Sequence, residues 1–216
     1  MRNEQLEHII RAAATVTGQD NIVIIGSQAI LASYRHEQLP DEITKSVEAD
    51  VFYLANNNED LIDTIDGTIG EATSFQQLHG IYAHGVAEET AILPPGWKER
   101  LVTLENANTN GYTGLCLDPY DLCVSKLFRY EDKDLNYVDS LLSAGIINNK
   151  LLTQRAKTII GHGDKKRLVI AYLEGIKDKP RPSVSSEMKR LKDIADRGDK
   201  VADQCNEHSK KTKEPT

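Results

Sequence analysis

The stretch from residue 22 to residue 52 constrains this chain more than any other. It opens with Ile22-Val23-Ile24-Ile25, an unbroken β-branched run closed by Gly26-Ser27. Such a run reads as a buried strand, and a glycine at its end lets the backbone turn sharply into a helix and approach a ligand closely. The stretch closes with Ser46-Val47-Glu48-Ala49-Asp50-Val51-Phe52, a second strand. Side chains alternate between the faces of a strand, so Glu48 and Asp50 point one way while Ala49, Val51 and Phe52 are free to pack. Two carboxylates on one strand face beside a Gly-Ser turn suit a divalent cation that faces a phosphate cradle.

Between these strands Ser27 is the expected cap of a helix over Gln28 to Tyr34, whose leading N–H groups would face a phosphate. Taken alone, that pattern is an ordinary strand-to-helix turn. The polar segment Arg35 to Lys45, with Pro40, reads as a loop that returns the chain to the strand over 47–54. Upstream, Leu6, Ile9, Ile10, Ala13 and Val16 recur at helical spacing over residues 3–17, and Gly18 stops them. His8 beside that stripe reads as a surface or boundary histidine.

Downstream, Asn58 is the expected cap of a helix from Glu59 to Asp66, whose acids form a solvated face. Residues 67–80 show no regular pattern. Short strands are expected over 81–86 and 90–93. Pro94-Pro95-Gly96-Trp97 is a rigid turn, with Trp97 either a core anchor or a stacking platform. Residues 100–104 and 111–117 predict a hairpin through Asn110-Gly111. Asp118-Pro119 then opens a helix with an N-cap and a proline at its first position. Lys126, Arg129 and Lys133 follow at i, i+3 and i+7, predicting a cationic stripe; paired with Glu131, Asp132 and Asp134, the same residues describe a salt-bridged helix. Further helices are expected over 135–144, 150–160 and 164–176. Residues 180–183 read as a linker, 186–205 as an amphipathic helix, and the polar end as a disordered tail.

The order hydrophobic strand, Gly-Ser, helix and acidic-x-acidic strand resembles the nucleotidyltransferase superfamily. The stretches GSQAILASY, SVEADVFYL and LPPGWKERLV are similar to a bacterial branch related to the AbiEii and MenT toxin nucleotidyltransferases, over roughly residues 20–145. Two departures stand out: the interval from Ser27 to Glu48 is longer than usual, and the first acid is Glu rather than Asp. The resemblance implies that Glu48 and Asp50 are catalytic and hold Mg²⁺ (or Mn²⁺). It implies that Gly26 and Ser27 bind the nucleotide, and that Lys126, with Arg129 beside it, contacts the triphosphate; Lys133-Asp134 matches a Lys-Asp pair of the relatives. Active members usually present a third carboxylate from a later strand. Here that strand offers His84, with Glu88 and Glu89 past its end; the imidazole is open to use as a base, a ligand or, most simply, a packed polar residue.

Composition narrows the partners. At 216 residues, 39% of them hydrophobic and 27% charged, the chain can bury a substantial core. A formal net charge of −7 argues against a broad nucleic-acid-coating surface, though a local basic groove for RNA is compatible with it. Cys116, Cys123 and Cys205 lack metal-type spacing and read as reduced thiols of a cytoplasmic protein. No apolar stretch approaches the length of about 20 residues that spans a membrane.

The expected fold is therefore α/β: a minimal nucleotidyltransferase-like mixed sheet with flanking helices over residues 1–145, a C-terminal helical region over 146–206 and a tail over 207–216. The expected activity is metal-dependent transfer of a nucleotide from a nucleoside triphosphate to RNA, tRNA among the candidates, or to protein. A toxin-antitoxin or phage-defence setting with a cognate partner protein follows from the resemblance. The alternative is a catalytically silent module of the same fold that serves as a binding or regulatory partner.

Overall fold

The computed structural model describes residues 1–54 and 59–176. The expected cap at Asn58, the linker at 180–183, the amphipathic stretch 186–205 with Cys205, and the tail lie outside the described residues. Five strands, β1 (Asn21–Ile24), β2 (Glu48–Phe52), β3 (Tyr82–Gly85), β4 (Val102–Leu104) and β5 (Thr113–Cys116), form one mixed sheet in the order β3-β2-β1-β5-β4. β1 is antiparallel to β2 and parallel to β5; β2 is parallel to β3, and β4 closes antiparallel on β5. The fold is the expected α/β one, with helices against the sheet and a helical C-terminal region.

Helix α1 (Asn3–Thr17) forms where the apolar spacing predicts, burying Leu6, Ile9, Ile10 and Ala13 completely. Full burial of one such aliphatic side chain contributes about 1.5–3 kcal/mol. Gly18 ends the helix at φ 67°, a left-handed conformation that costs glycine no Cβ clash. α1 lies directly on β5: a Cβ on Gly114 would come within 2.4 Å of Ile10 Cδ1. On the same sheet face, α2 (Glu59–Ile69) docks on β3, where a Cβ on Gly85 would stand 2.9 Å from Ile62 Cα. Residues 67–80 are more regular than the sequence suggests. α2 runs on to Ile69, and α3 (Ser74–His79) starts from Thr73, whose hydroxyl accepts from Gln76 N–H. His8 packs edge-on to the rings of Phe75 and His79, a boundary role as expected.

The ladder register fixes which residues share a face. Ile24 pairs with Val51 and with Cys116, and Val51 with Gly85, so this row faces α1 and α2. By alternation, the neighbouring row that pairs Asp50 with His84 faces the opposite side.

α4 (Pro119–Arg129) packs on the turn at residues 27–32 that follows β1 and on α5 (Asp132–Ser143), whose Tyr137 reaches the Ser27 carbonyl. Asp118 caps α4 as expected, accepting from Tyr120 N–H at 2.9 Å and Asp121 N–H at 3.3 Å, with Pro119 following. Asp121 is fully buried and accepts from Arg100 Nε at 2.8 Å and from Arg155 Nη1. This junction ties the turn after Trp97 to α4 and to α6 (Asn149–Lys157). In α6, Asn149 Nδ2 donates to the carbonyls of Leu173 and Ile176 at the end of α7 (Gly163–Gly175).

Three local expectations are corrected. Residues 27–32 form 3-10 turns rather than an α-helix, and the capping position is Gly26, with no side-chain cap from Ser27. Gln28, Ala29, Ile30 and Leu31 are all buried in succession, which leaves no polar face for an amphipathic α-helix. Residues 90–93 form no strand: Glu88–Thr90 closes a 3-10 turn, and Pro94-Pro95 lack the N–H groups a ladder needs. Finally, Lys126, Arg129 and Lys133 do not share a helix face. Tyr130 adopts φ 63° and ends α4, so Lys133 belongs to α5, where it pairs with Glu131 at 3.1 Å.

Candidate functional site

The site is assembled at the point where β1 leaves the sheet beside β2. Ile25 N–H donates to the Asp50 carbonyl at 3.1 Å, carrying the antiparallel ladder one step past β1 and setting Gly26 against Asp50. Gly26 has φ −77° and needs no special conformational freedom. Its requirement is space, because a Cβ there would stand 1.8 Å from Asp50 Oδ2 and 2.7 Å from Asp50 Cγ. The glycine therefore accommodates the carboxylate. Ser27, next in the chain, accepts a hydrogen bond at its carbonyl from Tyr137 Oη of α5 at 2.7 Å.

Glu48 and Asp50 lie on one face of β2, as alternation predicts, and β3 brings His84 to them. Nδ1 of His84 is 3.1 Å from Glu48 Oε1 and 3.3 Å from Asp50 Oδ1. Ligand atoms of the three side chains lie within 4.8 Å of one another. None is deeply buried: the His84 side chain is 49% exposed, Glu48 36% and Asp50 30%, so the cluster opens to solvent and to an incoming ligand. Tyr82, one position along the same strand face, donates to Glu48 Oε2 at 3.2 Å. Its phenol is pushed up to about 12, by burial first and then by the charges of Glu48 and Glu71, so it stays a donor. The reading of His84 as a packed polar residue is corrected: parallel pairing of β2 with β3 sets it opposite Asp50, on the carboxylate face.

The α4–α5 wall supplies the cations. Lys126 is buried, its Nζ 3.0 Å from Asp134 Oδ1 and 4.4 Å from the centre of the Tyr137 ring. Arg129 is half exposed and makes a forked pair with Asp134, Nε to Oδ2 at 2.7 Å and Nη2 to Oδ1 at 2.9 Å. Burial alone would raise the Asp134 pKa; the Arg129 hydrogen bonds and the Lys126 charge outweigh it and lower it. Arg129 in turn is held more firmly protonated, by its hydrogen bonds to Asp134 first, with Asp50 among the lesser charges. Of the two cations Arg129 is the more accessible, half exposed where Lys126 is buried.

The donor set suits a divalent cation. Two carboxylates provide hard oxygen ligands, the imidazole a nitrogen, and the space left by Gly26 lets the Asp50 carboxylate sit against the backbone at the turn. Trp97 takes the core role, 8% exposed with its ring centre 6.1 Å from that of Phe52. A groove of about 570 Å³ lies between residues 91–99 and the 159–162 loop, and none of Glu48, Asp50 or His84 lines it.

Sequence reasoning overlooked Tyr82, Tyr137 and the central place of Asp134. The alternation Tyr82-Ala83-His84-Gly85, large polar against small, is the signal that would have put Tyr82 and His84 on one face. Among the described residues no helix is long and apolar enough to cross a membrane. Residues 4–179 match the model of a family described as "Nucleotidyltransferase of unknown function (DUF6036)". No curated protein and no solved structure matches the chain.

Proposed function

Because the chain belongs to this family of nucleotidyltransferases of unknown function, we propose that it transfers a nucleotide from a nucleoside triphosphate to a hydroxyl of an RNA or protein acceptor: the acceptor oxygen bonds to the α-phosphorus, the α–β phosphoanhydride bond breaks, and pyrophosphate leaves. The observation that carries this reading is the packing of Asp50 against Gly26, which puts the carboxylate pair and the Gly-Ser turn in one place. Glu48 and Asp50 would hold Mg²⁺ or Mn²⁺. When bound, the cation neutralises triphosphate charge and favours ionisation of the acceptor hydroxyl.

The chain's own groups do the rest. Gly26 and Ser27 bind the phosphates through backbone N–H groups at the start of a helical turn, which have no partner within that turn. The Tyr137 hydroxyl fixes this turn by holding the Ser27 carbonyl. Arg129, oriented by the fork to Asp134, contacts the triphosphate, and Lys126 adds positive potential from behind that carboxylate. Tyr82 orients Glu48.

A toxin-antitoxin or phage-defence setting, with a cognate partner protein, is part of this proposal and rests on the sequence resemblance. A second reading, a silent binding module, is favoured by one observation: the strand beside the acids carries an imidazole in place of a carboxylate. Incubating the full chain with each labelled nucleoside triphosphate, Mg²⁺ or Mn²⁺, and total RNA or cell lysate separates the two. Label on a macromolecule, abolished by Asp50→Asn, is expected; no labelling with any nucleotide would overturn transfer and favour the module.

A further inference from the structure

Resting on the carboxylate site just described, we propose that His84 is a third protein ligand of the cation, through Nδ1, and that it makes the site prefer Mn²⁺ to Mg²⁺. The geometry singles out one atom. Nδ1 is the nitrogen that stands close to a carboxylate oxygen of both acids, 3.1 Å from Glu48 Oε1 and 3.3 Å from Asp50 Oδ1. The side chain springs from a strand and not from a loop, because His84 is the ladder partner of Asp50 between β2 and β3. A ligating Nδ1 needs its lone pair, so the proton must sit on Nε2; a half-exposed ring leaves Nε2–H to be solvated.

The two carboxylates accept Mg²⁺ and Mn²⁺ alike, both being cations for oxygen ligands. The imidazole separates them. Mg²⁺ demands near-ideal octahedral geometry and gives up its waters reluctantly, whereas Mn²⁺, though also served mainly by oxygen, accepts one imidazole nitrogen at less loss. A site with a third carboxylate would serve Mg²⁺ equally well. Replacing that carboxylate by His84 removes a negative charge, which weakens both cations alike, and adds a nitrogen, which weakens Mg²⁺ relative to Mn²⁺.

The test uses the full chain with Mn²⁺ alone. Electron spin-echo modulation reads nitrogen bound directly to Mn²⁺, and Mg²⁺ displacement of Mn²⁺ reads the preference. Expected are nitrogen modulation in the unaltered chain, its loss in His84→Asp, and a fall in the Mn²⁺-to-Mg²⁺ preference in that variant. A melting curve of His84→Asp checks that it folds, and the modulation in the unaltered chain stands without the variant. Mn²⁺ that is held, lost in Asp50→Asn, yet shows no nitrogen modulation would overturn the His84 assignment and leave the carboxylate site standing. Mn²⁺ that is not held by Glu48 and Asp50 at all would overturn both.

Discussion

Gly26 and Asp50 occupy one space: the position where a Cβ would extend from Gly26 is 1.8 Å from the Asp50 carboxylate oxygen. A Gly26→Ala substitution leaves the backbone unstrained at φ −77° and acts on the carboxylate alone. Asp50 is 30% exposed, so its carboxylate gives way by swinging out rather than by straining the core, and Tm should change little. Mn²⁺ retention should fall as far as it does in Asp50→Asn, although the acid is still present. Retention equal to that of the unaltered chain would show that Asp50 does not need its place against the turn.

Much of this arrangement is legible in the sequence because it is local. The apolar spacing of α1, the β-branched run of β1, the alternation that pairs Glu48 with Asp50 and the Asp118-Pro119 helix start all depend on neighbours within a turn or a strand. The remainder depends on pairing between distant segments. Nothing local announces that β3 lies parallel to β2 and brings His84 opposite Asp50, or that Gly26 is small for the sake of a residue 24 positions on. The break between α4 and α5 is hidden for another reason: Tyr130 takes the left-handed conformation without being a glycine, so the cations around it read as one continuous helix.

Lys126 and Arg129 share Asp134 but should separate in solution. Lys126→Met leaves the buried Asp134 carboxylate with Arg129 as its remaining partner and should lower stability. Arg129→Ala removes a half-exposed group and should cost less stability. Calorimetric titration with a non-hydrolysable nucleoside triphosphate, run beside melting curves, is expected to show the larger loss of Tm in Lys126→Met and the larger loss of affinity in Arg129→Ala. Unchanged affinity in Arg129→Ala would remove it from the phosphate site.

Acid should unmake the same cluster. The Asp134 pKa is lowered from its ordinary 3.8, so folding favours the ionised form. The stability this supplies is fully present above about pH 4 and is lost as the pH falls through the lowered folded value. Lys126, Arg129 and, through Arg129, Glu131 are the charges that face it. The stability gap between the unaltered chain and Asp134→Asn, from denaturant curves across pH, should be widest above pH 4 and narrow below it. A gap that stays constant with pH would mean that Asp134 acts through shape alone.

The two described cysteines are sealed in the core. Burial pushes the Cys116 thiol up to about 12 and raises Cys123 further still, and both side chains are fully inaccessible. Thiolates are the reactive species, so alkylation of either residue should wait on global unfolding. Peptide mapping after timed alkylation, with and without denaturant, checks this; rapid labelling of Cys123 in the folded chain would contradict the packing of α4.

The most direct test of the nucleotidyltransferase reading is the dependence of cation binding on nucleotide. A site with two carboxylates and an imidazole gives a cation few protein ligands, and nucleotide phosphates complete such an octahedron. Paramagnetic relaxation of water by Mn²⁺, measured on the full chain with and without nucleoside triphosphate, with Glu48→Gln and Asp50→Asn as controls, reads this directly. The expected result is weak Mn²⁺ retention by the protein alone, markedly tighter retention with nucleotide, and loss of that enhancement in both variants. Retention that nucleotide does not enhance, or that survives both substitutions, would contradict it.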